Sequence, residues 1–328
     1  MEKEALFYEK QGDKISCKLC PHNCLIPVGA HGKCKVRINR EGKLYTINYG
    51  EMTSAARDPI EKKPLYHFKP GSNILSVGSF GCNFTCGFCQ NHSISQERAR
   101  SEYIAPEKLV EMCQGLEDNI GIAFTYNEPS IWYEYIYYSS KLLKETLKDI
   151  KIVLVTNGYI KEEPLKMLLP YVDAMNIDLK AFTNRYYKDI CGGSVIPVMD
   201  TIRAASKECH VEVTTLLVSG ENDSSEEVAE IASFVASLNK DIPLHLSRYY
   251  PNYKMENPAT KVEVMLEDRD IAKQYLNYVY LGNVVGTDNS TYCPKCSYEL
   301  VERDGYHVHV NISECICPKC GYKINIIL

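Results

Sequence analysis

Residues 73–91 read NILSVGSFGCNFTCGFCQN, and this stretch decides the fold. Its first seven residues form an apolar run of strand length, so a strand is expected over 73–79. Gly81 follows, and then Cys82, Cys86 and Cys89 at C-x3-C-x2-C spacing. Such a strand delivers three thiolates to the loop at its C-terminal end, where α/β sheets and barrels place their ligands. The count of three is informative. A closed structural zinc site takes four ligands, whereas a cubane iron–sulfur cluster held by three cysteines keeps one iron free of protein.

Outward from this loop the chain repeats the same local pattern. Strands are expected for GIAFTY at 121–126, KIVLVT at 151–156, DAMNIDL at 173–179, HVEVTTLLV at 210–218 and IPLHLS at 242–247, with VYL at 279–281 offering a seventh. Helix-period segments separate most of them. One is SSEEVAEIASFVASL, with an N-cap at Ser224 or Ser225 and an apolar stripe at Val228, Ile231, Val235 and Leu238. Strands alternating with helices imply βαβ units on a parallel sheet, hence an open or closed α/β barrel.

Composition narrows the function classes. The chain has 328 residues, 45% of them hydrophobic and 24% charged, which describes a globular protein with one large domain and smaller appendages. No apolar run reaches membrane-spanning length, and the N-terminal MEKEALFYEK is charged where a secretory signal would be apolar, so no membrane partner and a cytoplasmic location are expected. A net charge of −5 gives no footprint for nucleic acid. Fifteen cysteines in a reducing compartment point to metal rather than disulfides.

Two further cysteine groups flank the central one. Cys17, Cys20, Cys24 and Cys34 offer four thiolates within eighteen residues, beside Gly29 and Gly32. Four ligands make a closed site, which suits either structural zinc or an auxiliary iron–sulfur cluster. Near the other end, two CPKC knuckles, Cys293/Cys296 and Cys317/Cys320, bracket a strand-like segment at zinc-ribbon spacing. That ribbon is expected to dock or stabilise as a separate module, with Cys315, His307 and His309 as spare candidate ligands, although alternating histidines on a strand more often face solvent. Of the isolated cysteines, Cys113 and Cys209 fit buried helix positions, and Cys191, before Gly192-Gly193, has no role assigned by its surroundings. The Tyr-rich run IWYEYIYYSS at 131–140 is expected to pack as a helix.

S-adenosylmethionine can chelate an open iron through its amino and carboxylate groups. The spacing Cys82-x3-Cys86-x2-Cys89 after a strand, with Phe88 before the third cysteine, resembles the signature of the radical S-adenosylmethionine (SAM) superfamily. CKLCPHNC, DPIEKKPLYHFKPGSNILSVGSFGCNFTCGFCQN, TYNEPS, TNGY, NIDLK and YLGNV together are similar to the AmmeMemoRadiSam system radical SAM enzymes, in the pyruvate formate-lyase activating enzyme-like branch. The resemblance implies a partial (β/α)6-type barrel over 69–288, after a Cys-rich segment at 1–68 and before a zinc ribbon at 289–328.

It also implies roles. Cys82, Cys86 and Cys89 match the ligands of a 4Fe-4S cluster, and Phe88 the aromatic residue near the adenine. Tyr126-Asn127-Glu128-Pro129 stands where most relatives have Gly-Gly-Glu-Pro, with Glu128 keeping the carboxylate for the cofactor's ammonium group. Asn157 would reach the ribose and Lys180 the cofactor carboxylate, with His245 or Arg248 as a further contact. The expected function is reductive cleavage of SAM to a 5′-deoxyadenosyl radical that abstracts hydrogen from a protein, peptide or small molecule. A flavodoxin or ferredoxin would supply the electron, and Zn2+ would fill the ribbon. Two other readings stay open: an activase of a glycyl radical enzyme, and a non-catalytic iron–sulfur or zinc protein acting as electron carrier or adaptor. The polar set Asn127, Glu128, Asn157 and Lys180 weighs against the last, because an electron carrier has no use for a cofactor pocket.

Overall fold

The computed structural model describes residues 2–328. Its centre is one eight-stranded sheet: β1 (Ser54–Pro59), β2 (Asn73–Gly78), β3 (Asn119–Phe124), β4 (Lys151–Thr156), β5 (Ala174–Asp178), β6 (His210–Leu217), β7 (Leu244–Arg248) and β8 (Val279–Gly282). The strands lie side by side in chain order. β2 to β8 are parallel, and only β1 runs antiparallel, along the outer side of β2. All seven strands read from the sequence are therefore present, and the sheet adds β1 at 54–59, inside the segment expected to precede the barrel. β1 and β8 are not paired with each other, so the barrel is open at that seam.

Period-two alternation sorts the side chains of this sheet into two sets. Leu75, Val77, Ile122, Phe124, Ile152, Leu154, Ile177, Val213, Leu246 and Leu281 point outward and are buried in the main core with the helices. Among those helices are α1 (Pro106–Gln114), α2 (Tyr133–Thr146), α3 (Glu162–Leu168), α4 (Val195–Ala205), α5 (Ser225–Leu238) and α6 (Val262–Ala272). Ser224 caps α5, its hydroxyl accepting from the Glu227 N–H at 3.2 Å. Tyr133 and Tyr135 of the tyrosine run are fully buried on α2, as helix packing requires. No helix among the described residues is long and apolar enough to cross a membrane.

The inward set forms layers. Ile74, Ala123, Val153 and Ala174 make the lowest layer, packed against Ile60, Leu65 and Phe68 from the β1–β2 connection. Above it lies a polar layer that includes Glu212, which accepts hydrogen bonds from the backbone N–H of His67 (2.7 Å) and shares polar contacts with His210 (3.0 Å) and His245 (2.6 Å). Three partners make burial of this carboxylate tolerable.

The C-terminal residues close the base. β9 (Thr291–Tyr292), β10 (Glu299–Asp304) and β11 (His307–Val310) form a small antiparallel sheet. Arg303 of β10 is buried and reaches the Tyr66 carbonyl at 2.6 Å and Thr291 Oγ1 at 2.7 Å, with its guanidinium 4.4 Å from the Tyr66 ring centre. Backbone hydrogen bonds also join Ile327 to His67 and Lys69. The ribbon is thus built into the floor of the barrel, which revises its reading as a separate module. His307 and His309 are exposed and stand apart from the knuckles' sulfurs, while the Cys315 thiol donates to the Ile326 carbonyl at 3.1 Å.

Candidate active site

At the mouth of the barrel the strand ends and their loops enclose a cavity of about 280 Å3. Cys82, Cys86 and Cys89 line it, together with Phe88, Tyr126, Asn127, Glu128, Asn157, Asp178 and Lys180. The loop that carries the cysteines is held by its neighbours. Asn127 ties it down twice, accepting from Ser79 N–H at 3.0 Å and donating to the Gly81 carbonyl at 3.0 Å. From the other side, the Thr85 and Gly87 amides donate to the carbonyls of Cys191 and Ile190. Gly192 and Gly193 allow this approach: a Cβ would stand 2.7 Å from Thr85 Oγ1 at the first and 2.3 Å from the Phe84 ring at the second.

The Glu128 carboxylate accepts from Thr156 Oγ1 (2.6 Å), Asn157 N–H (2.8 Å) and Ser130 N–H (2.9 Å). Burial pushes its pKa up against these three hydrogen bonds. A carboxylate offers about four acceptor sites, so roughly one remains for a ligand's ammonium group. Asn157 turns its amide to Asn83 Oδ1 (2.8 Å) and Cys82 Sγ (3.7 Å). Tyr126 sits at φ +69°, with its hydroxyl donating to Asp58 at 2.7 Å. Lys180 pairs with Asp178 at 2.7 Å, and its ammonium lies 5.7 Å from the Phe88 ring centre. Burial works against that charge, but Asp178, with Cys86 and Cys191 nearby, holds Lys180 protonated well above its usual range.

Two expected contacts lie elsewhere. On β7 the cavity is lined by Ser247. His245 points the same way two residues lower, so it falls in the polar layer beneath, against Glu212 and the Tyr66 ring. Arg248 points to the opposite face, donating to the Thr260 carbonyl at 2.7 Å and to the Tyr250 hydroxyl at 3.0 Å. Neither reaches the cavity, because the alternation of β7 leaves only its position 247 at the mouth.

Sequence reasoning left Cys191 without a role; the fold buries it against the central loop, where it lies beside Cys86 and lowers that residue's pKa. The signal was the Gly192-Gly193 pair, whose bare backbone admits the loop. Burial and the nearby Glu128 raise Cys82, and burial raises Cys89. The set suits an iron–sulfur cluster: three thiolates at one cavity, with N–H donors to sulfur from Phe84 (3.3 Å) and Asn157.

The outer cysteines form two further groups. In the ribbon, Cys293 and Cys320 stand 3.6 Å apart and Cys296 and Cys317 3.6 Å apart, and all four sulfurs lie within 4.8 Å of one another. Tetrahedral zinc at about 2.3 Å from each sulfur places sulfurs about 3.8 Å apart, so the ribbon fits one metal ion. At the other end Cys17, Cys20, Cys24 and Cys34 line a small void behind the central loop.

Comparison with known proteins places this geometry. The model of the radical SAM superfamily matches residues 76–235. An uncharacterized protein of Methanocaldococcus jannaschii is 41% identical over 99% of this chain and 100% of its own length. A second protein of that organism, provisionally named a glycyl-radical enzyme activating enzyme, is 29% identical over 63% of this chain and 80% of its own. In fold, the chain is similar to a radical SAM methyltransferase from Sphaerobacter thermophilus, with TM-score 0.51, 17% identity, and coverage of 70% of this chain and 71% of that one. Residues 76–235 thus form a radical SAM superfamily domain.

Proposed function

We propose that this protein is a radical SAM enzyme in which Cys82, Cys86 and Cys89 hold a 4Fe-4S cluster whose fourth iron takes SAM. The observation that carries the reading is the convergence of three thiolates with Glu128, Asp178 and Lys180 on one cavity. When reduced, the bound pair would supply a 5′-deoxyadenosyl radical and methionine by breaking the S–C5′ bond. The chain's own residues bind and orient. Glu128 keeps an acceptor site for the SAM ammonium group, Lys180 holds a cation for its carboxylate, and Phe88 offers a ring face to the adenine. Tyr126, Asn127 and Asn157 fix the walls through their bonds to Asp58, Gly81 and Asn83.

A flavodoxin or ferredoxin is the proposed electron source, and the hydrogen donor a protein, peptide or small molecule. The motifs TYNEPS and NIDLK support membership of the AmmeMemoRadiSam branch. The provisional name of the second Methanocaldococcus relative supports a narrower alternative, activation of a glycyl radical enzyme. An electron carrier or adaptor is the weaker reading, since neither needs a polar chamber beside its cluster. Fifteen free cysteines fit a reducing cytoplasm. In domain terms the reading is a Cys-rich segment over 1–68, a catalytic barrel over 69–288 and a zinc ribbon over 289–328, with the strand at 54–59 shared between the first two.

Anaerobically reconstituted, dithionite-reduced protein should convert SAM to 5′-deoxyadenosine, read by liquid chromatography. Cys86→Ala should reduce this to background. Cleavage that persists in the variant would overturn the assignment of the cluster ligands.

A further inference from the structure

Both outer cysteine groups offer four thiolates, yet the two are built to different dimensions. We infer that Cys17, Cys20, Cys24 and Cys34 ligate a second iron–sulfur cluster, every iron of it capped by protein, rather than a zinc ion. The ribbon supplies the internal standard. Among the described residues, its four sulfurs are the one group of three or more Cys, His, Asp or Glu ligand atoms lying within 4.8 Å of one another. A zinc tetrahedron demands that closeness, and sulfurs at about 2.3 Å from the centre leave no void between them.

The N-terminal four surround a void instead. Cys17, Cys20, Cys24 and Cys34 all line it, and it has room for one water-sized sphere, with about 10 Å3 of positions for its centre. That is about the least space a water needs, and far more than a zinc tetrahedron contains. A cubane suits the wider spread of these sulfurs, because each thiolate binds a different iron and the four stand further apart than around a single zinc.

The surroundings favour the same cofactor. Leu19, Ile26 and Ile131 make the wall largely apolar, so a lone water there would find few partners. Hydrogen-bond donors face the sulfurs: the Lys33 amide lies 3.4 Å from Cys24 Sγ, and Arg37 Nη1 lies 3.6 Å from Cys17 Sγ. Such bonds disperse the charge of thiolate ligands and are one of the levers on cluster potential. Gly32 provides close backbone approach, since a Cβ there would stand 3.6 Å from Cys24 Sγ and 3.2 Å from Ile26 Cδ1.

The void also adjoins the catalytic loop. His22, between Cys20 and Cys24, has Nε2 2.7 Å from the carbonyl oxygen of Asn83, the residue after Cys82. Its ring packs on Tyr159 at 5.0 Å, and the Lys161 amide donates to the Leu19 carbonyl. The second cluster therefore lies one hydrogen-bonded step from the first.

The test separates this inference from the function proposed above. In the variant Cys82→Ala/Cys86→Ala/Cys89→Ala, reconstituted anaerobically with iron and sulfide, iron, sulfide and zinc are counted per chain and the Mössbauer spectrum recorded. About half of the wild-type iron should remain, as a cluster with complete thiolate ligation, beside a single zinc in the ribbon. A variant with no cluster iron would overturn the inference. The unaltered protein gives a second measurement that no folding defect can obscure. Iron for two clusters and one zinc is expected there; iron for one cluster with two zincs would overturn it.

Discussion

The two ends of the barrel use the same strands to opposite purposes. At the C-terminal mouth the inward positions, among them Asp178, Thr214 and Ser247, open onto a cavity of about 280 Å3. At the base the inward positions are filled by their own neighbours: aliphatic side chains from the β1–β2 connection, then the Glu212 layer, then Arg303 from the ribbon. Polar groups at the mouth keep capacity for a ligand, whereas Glu212 at the base is consumed by His67, His210 and His245. A buried polar side chain near a strand end is therefore a weak sign of binding until its depth along the strand is known.

Substitution at Arg303 should break the base most severely. Arg303 is buried beside Glu61, with its Nε 3.9 Å from Glu61 Oε1, and three of its hydrogen bonds hold Tyr66, Asn289 and Thr291. Arg303→Ala leaves Glu61 without a cation and takes a donor from each of those acceptors, of which Thr291 keeps its contact with the Tyr280 hydroxyl, a loss of about 3–5 kcal/mol. For a chain of this size that is a fall in melting temperature of roughly 4–7 °C, measured by calorimetry. Arg303→Met with Glu61→Gln should recover a large part, since the uncompensated charge is then gone. If Arg303→Ala melts with the wild type, the ribbon is not welded to the floor.

Acid should discriminate the ends next. Burial holds the His67 pKa down to about 4. Between about 4 and 6.5 the unfolded chain therefore binds a proton at this residue that the folded chain refuses, so stability is complete above about 6.5 and falls as pH drops through that window. The full effect is on the order of 3 kcal/mol. The hydrogen bonds from His210 and His245 outweigh burial and hold Glu212 below the usual carboxylate range, which adds a further loss as pH falls below about 4.5. Denaturant unfolding at a series of pH values should show the slope in the wild type and a shallower one in His67→Gln. An equal slope in both would remove His67 as its source.

Much of this contrast was legible in the sequence, and the reason is periodicity. Seven strands announced themselves as apolar runs, and the cysteine loop fell at the end of one because ligand loops must. What could not be read was depth. His245 and Ser247 share one face of β7, and nothing in the string IPLHLS says which of them reaches the mouth. β1 was missed because SAARDP lacks apolar alternation: its residues 55–57 are exposed on the sheet's edge. Cys191 was undecidable for a third reason, since the partner that gives it meaning lies more than a hundred residues earlier in the chain. The docking of the ribbon rests on Arg303, which reads as an ordinary surface charge in an alternating strand, and on backbone bonds from Ile327 that no side chain announces.

The smallest expected effect sharpens the comparison most. Arg248 and His245 were both candidates for cofactor contact, and both lie outside the cavity. Arg248→Gln removes a side chain bonded to Thr260 and Tyr250 on the outer face, so SAM affinity of the reconstituted protein should stay within about two-fold, the range of substitutions that touch no special feature. His245→Gln should differ in kind: it takes an imidazole from Glu212 at 2.6 Å, so it should lower thermal stability while leaving affinity at the wild-type value. Equilibrium binding and melting, measured on both variants, give a two-by-two result. If either substitution weakens SAM binding tenfold without loss of stability, the boundary between mouth and base has been drawn one layer too high.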